Sequence, residues 1–198
     1  LEHPVHSRER VAETLEQARD LLQARGGDVA AAEQVWADYP EDSVLRFSPA
    51  QLAWQAEQVL AHGGVESARV AIRSDEGVSE LLVISRDRDG LFATITAVLD
   101  RMQINVHDAR IVTTRDGRVL DTFQILDAQG QPLADAARSE DLCRRITDEL
   151  GKPELNLTPA RRAWSRQQKH FHVPLRVEFG ERDGGARTQL ALVCSDRP

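Results

Sequence analysis

Between a short apolar run, Leu81 to Ser85, and an apolar-periodic stretch that begins at Leu91, the chain carries Arg86, Asp87, Arg88, Asp89 and Gly90. A glycine at the mouth of a helix lets the backbone turn sharply and lets a ligand approach it, and the first helical amides have no partner inside the helix. Such amides suit a carboxylate or a phosphate, so this turn reads as an anion seat. Asp87 and Asp89 are candidates to cap the same amides.

Two other acidic positions stand out. His107-Asp108 sits where the strand alternation after Met102 changes parity, and it reads as a strand-edge pair facing solvent or a sheet neighbour in preference to a metal-ligand pair. Asp121 falls on the apolar face of its strand, where a buried carboxylate requires a partner. A hydrogen bond to a neighbouring strand or helix end is the expected role. His170 and His172 project to one side of an edge strand and read as a solvated pair.

Catalytic patterns are missing. The chain has no GxxxxGK[ST] phosphate loop, no GxSxG elbow and no HExxH zinc motif. It also lacks a Gly-Ser turn with paired aspartates and a His-Asp metal doublet of the kind hydrolases use. The two thiols, Cys143 on an expected helix and Cys194 on an expected strand, have no paired spacing, which argues against a disulfide framework or a four-ligand zinc site.

The elements that position the turn follow from hydrophobic period. Apolar residues at 91, 92, 95, 98, 99 and 102 have helical spacing. Ile104 and Val106, then Ala109 and Ile111, alternate on either side of a β-bulge at His107 and Asp108. A three-residue loop with Gly117 in the left-handed region sets Ala109 opposite Phe123 and Ile111 opposite Asp121. The apolar face of this hairpin is then Ala109, Ile111, Val119, Phe123 and Ile125. A helix with Leu142, Cys143, Ile146 and Leu150 follows, between a Ser139 cap and Gly151. A strand after Pro159, in which Phe171, Val173, Leu175, Val177 and Phe179 alternate, completes an α+β, ferredoxin-like βαββαβ unit.

Upstream, Val11, Leu15, Ala18 and Leu22 share one helical face, and Asp28 caps a helix carrying Val29, Ala32, Val35 and Trp36. Ser48-Pro49 starts a third helix with Leu52, Ala53, Ala56, Val59 and Leu60 on its buried side. Two β-type runs around Asp75-Glu76-Gly77 add one hairpin strand ahead of the core unit. Lys152 to Lys169, with Arg161, Arg162, Arg166 and Trp164, reads as an exposed linker. Leu190 to Pro198 repeats the pattern of Leu81 to Asp89, so a second unit begins there.

The 198 residues carry a net charge of −7, 41% hydrophobic content and a mean hydropathy of −0.42. That balance argues against broad attraction to nucleic acid or an anionic membrane, and no apolar run approaches the ~20 residues needed to cross a bilayer. The cytoplasm is the expected location. An opening at Leu1 and a close inside the repeated motif read as a piece of a longer protein.

RDRDGLFATITAVLDR followed by INVHDARIVTTRDGRVLDTF resembles the first ACT domain of the bacterial PII uridylyltransferase/uridylyl-removing enzymes, the bifunctional nitrogen sensors. DSVLRFSPAQLAWQAEQVL, Asp42 to Leu60, resembles the stretch that precedes the ACT pair in that family. The resemblance implies a helical linker segment at 1–62, a first ACT domain at 63–180 and the opening strand of a second at 181–198. It implies a free amino acid, glutamine, as effector, bound between the strand-helix turn and the start of the next strand, commonly where two ACT domains meet. The matching positions are Asp87, Gly90, Leu91 and Asn105, with amides of Gly90 and Leu91 for the carboxylate and Asp87 and Asn105 for the ammonium. Where the family usually has proline before the glycine, this chain has Asp89.

The resemblance further implies no catalytic residue and no metal in this stretch, with Mg²⁺ and the uridylyl chemistry in domains absent from it. The implied partners are the PII signal protein, through the full-length enzyme, and a second ACT domain or another chain. A ligand-free dimerisation or interdomain assembly module is the competing expectation.

Overall fold

The computed structural model describes residues 4–64, 66–75, 77–155, 174–182 and 187–193. The chain divides into two compact units, Leu1–Thr158 and Pro159–Pro198.

The larger unit opens with four helices: α1 (Pro4–Ala24), α2 (Val29–Ala37), the single turn α3 (Glu41–Val44) and α4 (Pro49–His62). Local chemistry sets their limits. The Asp28 carboxylate accepts from the Ala31 amide to start α2. At α4, Ser48 accepts from the Gln51 amide while the Gln51 side chain accepts from the Ser48 amide, a reciprocal capping box with Pro49 in the first turn. The Trp36 indole N–H donates to the Leu52 carbonyl at 3.1 Å, tying α2 to α4.

Next come β1 (Arg69–Asp75), β2 (Val78–Arg86), α5 (Leu91–Arg101), β3 (Asn105–Thr113), β4 (Arg118–Leu126) and α6 (Ala136–Leu150). The four strands form one antiparallel sheet in the order β1-β2-β4-β3, consistent with a ferredoxin-like fold. The pairing places Ala109 opposite Phe123 and Ile111 opposite Asp121, with the register shifting between Val106 and Asp108. The expected bulge and three-residue loop are therefore present, with Gly117 at φ 79°.

Both sheet faces are covered. Leu81, Val83, Val119, Phe123 and Ile125 pack against Leu91, Ile95 and Val98 of α5 and Leu142 and Ile146 of α6. On the opposite face Leu82, Ile84, Val112 and Leu120 pack against the helical segment through Leu52, Ala56, Trp36 and Leu22. Each fully buried leucine or isoleucine contributes roughly 1.5–3 kcal/mol relative to exposure.

Four sequence expectations are corrected. The place beside β2 belongs to β1, its antiparallel neighbour, whereas the later strand β5 (Arg176–Arg182) pairs with β6 (Arg187–Val193) in a separate two-stranded sheet. A local hairpin closes with far less loop entropy than a return across the intervening elements. The N-cap of α6 is Asp135, one turn before Ser139, and it accepts from Ala137 and Arg138. Ile111 is 39% exposed because β3 is an edge strand. Leu60 is 38% exposed, since α4 buries Gln51, Trp54 and Gln55 instead.

In the smaller unit, Val177 faces Leu192 and Phe179 faces Leu190 across the β5–β6 ladder. The linker expected at Lys152 to Lys169 lies outside the described residues beyond Leu155, as do His170, His172 and Cys194.

Candidate functional site

β2 delivers the chain to the turn at Asp87–Gly90, and α5 leaves it. Gly90 is the N-cap residue of α5 and sits at φ 82°, ψ 3°, a left-handed conformation that costs an L side chain roughly 1–2 kcal/mol. No side chain caps α5, so Asp87 and Asp89 do not fill the capping role expected of them. The left-handed bend closes the turn through the main chain: the Leu91 amide donates to the Arg88 carbonyl at 3.2 Å and the Thr94 amide to the Gly90 carbonyl at 2.9 Å.

Arg88 is spent elsewhere than on Asp89. Its two terminal nitrogens donate to the carbonyls of Leu150, at 2.6 Å, and Lys152, at 3.1 Å, at the C-terminal end of α6. A cation there satisfies carbonyls that the helix leaves open and complements its dipole. The turn is thus tied to the end of α6.

Asp87, Gly90 and Leu91 lie together, and Asn105 does not join them within this unit. Arg86 pairs with Arg118 and Asn105 with Leu126, positions eight residues apart along β4. At about 3.3 Å per residue that separation is roughly 26 Å. Asn105 is exposed at the far end, where its side-chain amide donates to the Asp127 carbonyl at 3.0 Å.

Asp121 occupies the expected face and is 1% exposed, but among the described residues Oδ1 does not make the expected hydrogen bond. Thr94 Oγ1, on the sheet-facing side of α5, is likewise buried and has no hydrogen-bond partner among the described residues. Burial pushes the Asp121 carboxyl up to about 7, and the negative charge of Asp87 adds to the effect. His107 is exposed, and Asp108 pairs with Arg110 at 3.0 Å. Among the described residues no group of three His, Cys, Asp or Glu is placed to hold a metal ion. Cys143 is a free, half-buried thiol whose burial pushes it up to about 11, outside the range of a reactive thiolate.

Sequence reasoning missed a second polar assembly, on the helical face of the sheet. Gln55 donates to Thr122 Oγ1 at 3.0 Å and accepts from the Tyr39 hydroxyl at 3.1 Å; Gln51 donates to the buried Glu80 carboxylate. The signal was present as two glutamines one helical turn apart on the apolar side of α4.

The four-stranded antiparallel sheet covered by α5 and α6, with a glycine turn at the mouth of α5, defines an α+β domain of ferredoxin-like type. Residues 79–140 match the ACT domain family and residues 6–58 match the family described as the uridylyltransferase GlnD fifth domain. Over its whole length the chain corresponds to the C-terminal region of bifunctional uridylyltransferase/uridylyl-removing enzymes. It is 39% identical over 201 residues to that enzyme from Xanthomonas campestris pv. campestris (strain B100), 38% over 203 residues to that from Xanthomonas axonopodis pv. citri, and 35% over 202 residues to that from Vibrio parahaemolyticus. In each case all of this chain is covered and 23% of the relative, so the chain spans about a quarter of the length of the relatives it matches. No solved structure matches it. An ACT domain in this setting gives the region a regulatory role. No helix among the described residues is long and apolar enough to cross a membrane.

Proposed function

We infer that this chain is the amino-acid-sensing part of a bifunctional enzyme that uridylylates and deuridylylates the PII signal protein in the cytoplasm, with L-glutamine as effector. The observation that carries this reading is the disposition of the turn and Asn105 at opposite ends of one sheet. Two such units placed side by side in opposite directions bring the turn of one to the Asn105 position of the other, and an α-amino acid fits between them. Its carboxylate meets the mouth of α5, and its ammonium meets Asp87 and the side-chain carbonyl of the asparagine. The second unit is another ACT domain of the same enzyme or of a second chain.

Allosteric control then requires that glutamine bind one arrangement of the paired units better than another. Uridylyl transfer, its reversal and any Mg²⁺ belong to domains outside this chain. In the full-length enzyme, Gly90→Ala and Asn105→Ala are expected to abolish the glutamine response while leaving basal transfer measurable. An unchanged response in both variants rejects this site.

The open edge of β3, with Val106 42% and Ile111 39% exposed, favours a second reading, a ligand-free assembly module. Concentration-dependent sedimentation indifferent to amino acids is its signature.

A further inference from the structure

The helical face of the sheet changes character along its length. Under the body of α4 it is apolar, through Ala71, Leu82, Ile84, Val112 and Leu120. Towards the end where α4 begins, the same face continues as Arg73, Glu80, Gln124 and Asp108, each opposite the next across the four strands, with Arg110 one pair further along β3, opposite Thr122. Here the α3–α4 connection and the first turn of α4 stand over the sheet and enclose an open cleft of about 600 Å³. Its charged walls are Arg46, Arg73, Arg110 and Glu80.

These guanidiniums are not equivalent. Arg73 is committed to the fold: it bonds the Glu80 carboxylate through Nε at 2.6 Å, donates to the Ala50 carbonyl at 3.2 Å, and lies 4.6 Å from the centre of the Trp54 ring. Arg110 is partly committed, donating through Nη1 to Gln51 Oε1 at 3.1 Å and pairing through Nε with Asp108 at 3.0 Å, with its guanidinium 5.9 Å from the centre of the Phe47 ring. Arg46 is exposed and, among the described residues, its guanidinium is anchored by a bond to the Ile111 carbonyl at 3.4 Å. Five N–H donors per guanidinium leave both Arg46 and Arg110 with unused donors along the cleft. Glu80 and Asp108 offset two of the three positive charges, which leaves the cleft positive in a chain of net −7. The N-terminus of the 14-residue helix α4 opens at the same place and adds to that potential.

We propose that this cleft binds a small metabolite presenting two neighbouring oxyanion groups, gripped by Arg46 and Arg110 together. Guanidinium forks match phosphoryl and carboxylate oxygens equally well, so a pyrophosphoryl compound and a dicarboxylate share the required chemistry. The volume falls within the range of small-molecule sites. A ligand held by the α3–α4 connection on one side and β3 on the other clamps the helical segment to the sheet. The site is separate from the Asp87–Leu91 turn, which lies at the opposite end of the sheet.

The test is calorimetric titration of sodium pyrophosphate and, separately, sodium succinate into the 198-residue chain at matched ionic strength. The same titrations are run on Arg46→Gln, on Arg110→Gln and on Arg144→Gln, a control for exposed cations outside the cleft. Arg46 is exposed and its bond to the Ile111 carbonyl is long, so its variant keeps the fold, which melting by circular dichroism verifies. Saturable binding of either anion, weakened about tenfold or more by Arg46→Gln and unaltered by Arg144→Gln, is expected. Binding of pyrophosphate alone identifies a phosphoryl ligand and binding of succinate alone a dicarboxylate. No saturable binding of either anion, or binding that Arg46→Gln leaves unchanged, overturns the proposal.

Discussion

Asp121 shows how a single residue of this fold is both legible and costly. Its place followed from strand parity: a bulge at His107 and a loop ending in Gly117 force it opposite Ile111, on the face that carries Val119, Phe123 and Ile125. Its lack of a hydrogen-bond partner at Oδ1 among the described residues did not follow, because partners come from facing elements whose packing the period does not encode. The carboxyl titrates near 7 when folded and at an ordinary 3.8 otherwise. Between those values the folded chain holds a proton that the unfolded chain has released, so stability falls as pH rises and levels off above about 7. Asp121→Asn is therefore expected to remove a loss of roughly 2–3 kcal/mol between pH 5 and pH 8, at about 1.4 kcal/mol per unit. Urea unfolding at the two values checks this, and an identical pH slope in the variant refutes it. The misplaced cap of α6 has a residue-scale cause as well. Ser139 stands three residues before the apolar Leu142, but Asp135 is followed by Ala136 and Ala137, strong helix formers that extend the helix one turn back.

At the scale of elements, the turn, α5 and α6 act as one piece because Arg88 bridges them. Arg88→Ala removes two bonds to the carbonyls of Leu150 and Lys152 and is expected to lower stability by about 1–3 kcal/mol, with faster amide exchange in the last turn of α6. Equal exchange in variant and parent would show that the bridge carries no load. The sequence held the β1–β2 hairpin in plain view through Asp75-Glu76-Gly77, yet not its position in the sheet. Alternation reports which face a residue takes and says nothing of which strand neighbours which. For the same reason the strand around Phe171 to Phe179 was expected to close the four-stranded sheet, although β1 holds that edge and β5 pairs with β6.

Across the larger unit, the helices of 4–62 form one of the two layers that bury the sheet. The continuous apolar run Leu81, Leu82, Val83 and Ile84 already pointed to burial on both faces, since a strand open on one side alternates. What lies on the second face was not legible, because the Ser7 to Leu60 helices show apolar stripes without naming their partner. Removing residues 1–62 strips the cover from Leu82, Ile84, Val112 and Leu120. The truncated chain is expected to bind the dye ANS and to aggregate, and a monomeric, cooperatively melting product would contradict that packing.

The whole-molecule account rests on an amino-acid site that needs two units, because roughly 26 Å of sheet separates the turn from Asn105 in one. The direct measurement is calorimetric titration of L-glutamine, with L-glutamate as control, into the 198-residue chain kept monomeric by dilution and into a chain extended through a whole second ACT domain. Saturable glutamine heat with the extended chain, and none with the monomeric shorter one, is the predicted result. One-to-one binding by the shorter monomer would place the ligand within a single unit and contradict the paired site, and silence in both would contradict glutamine sensing itself.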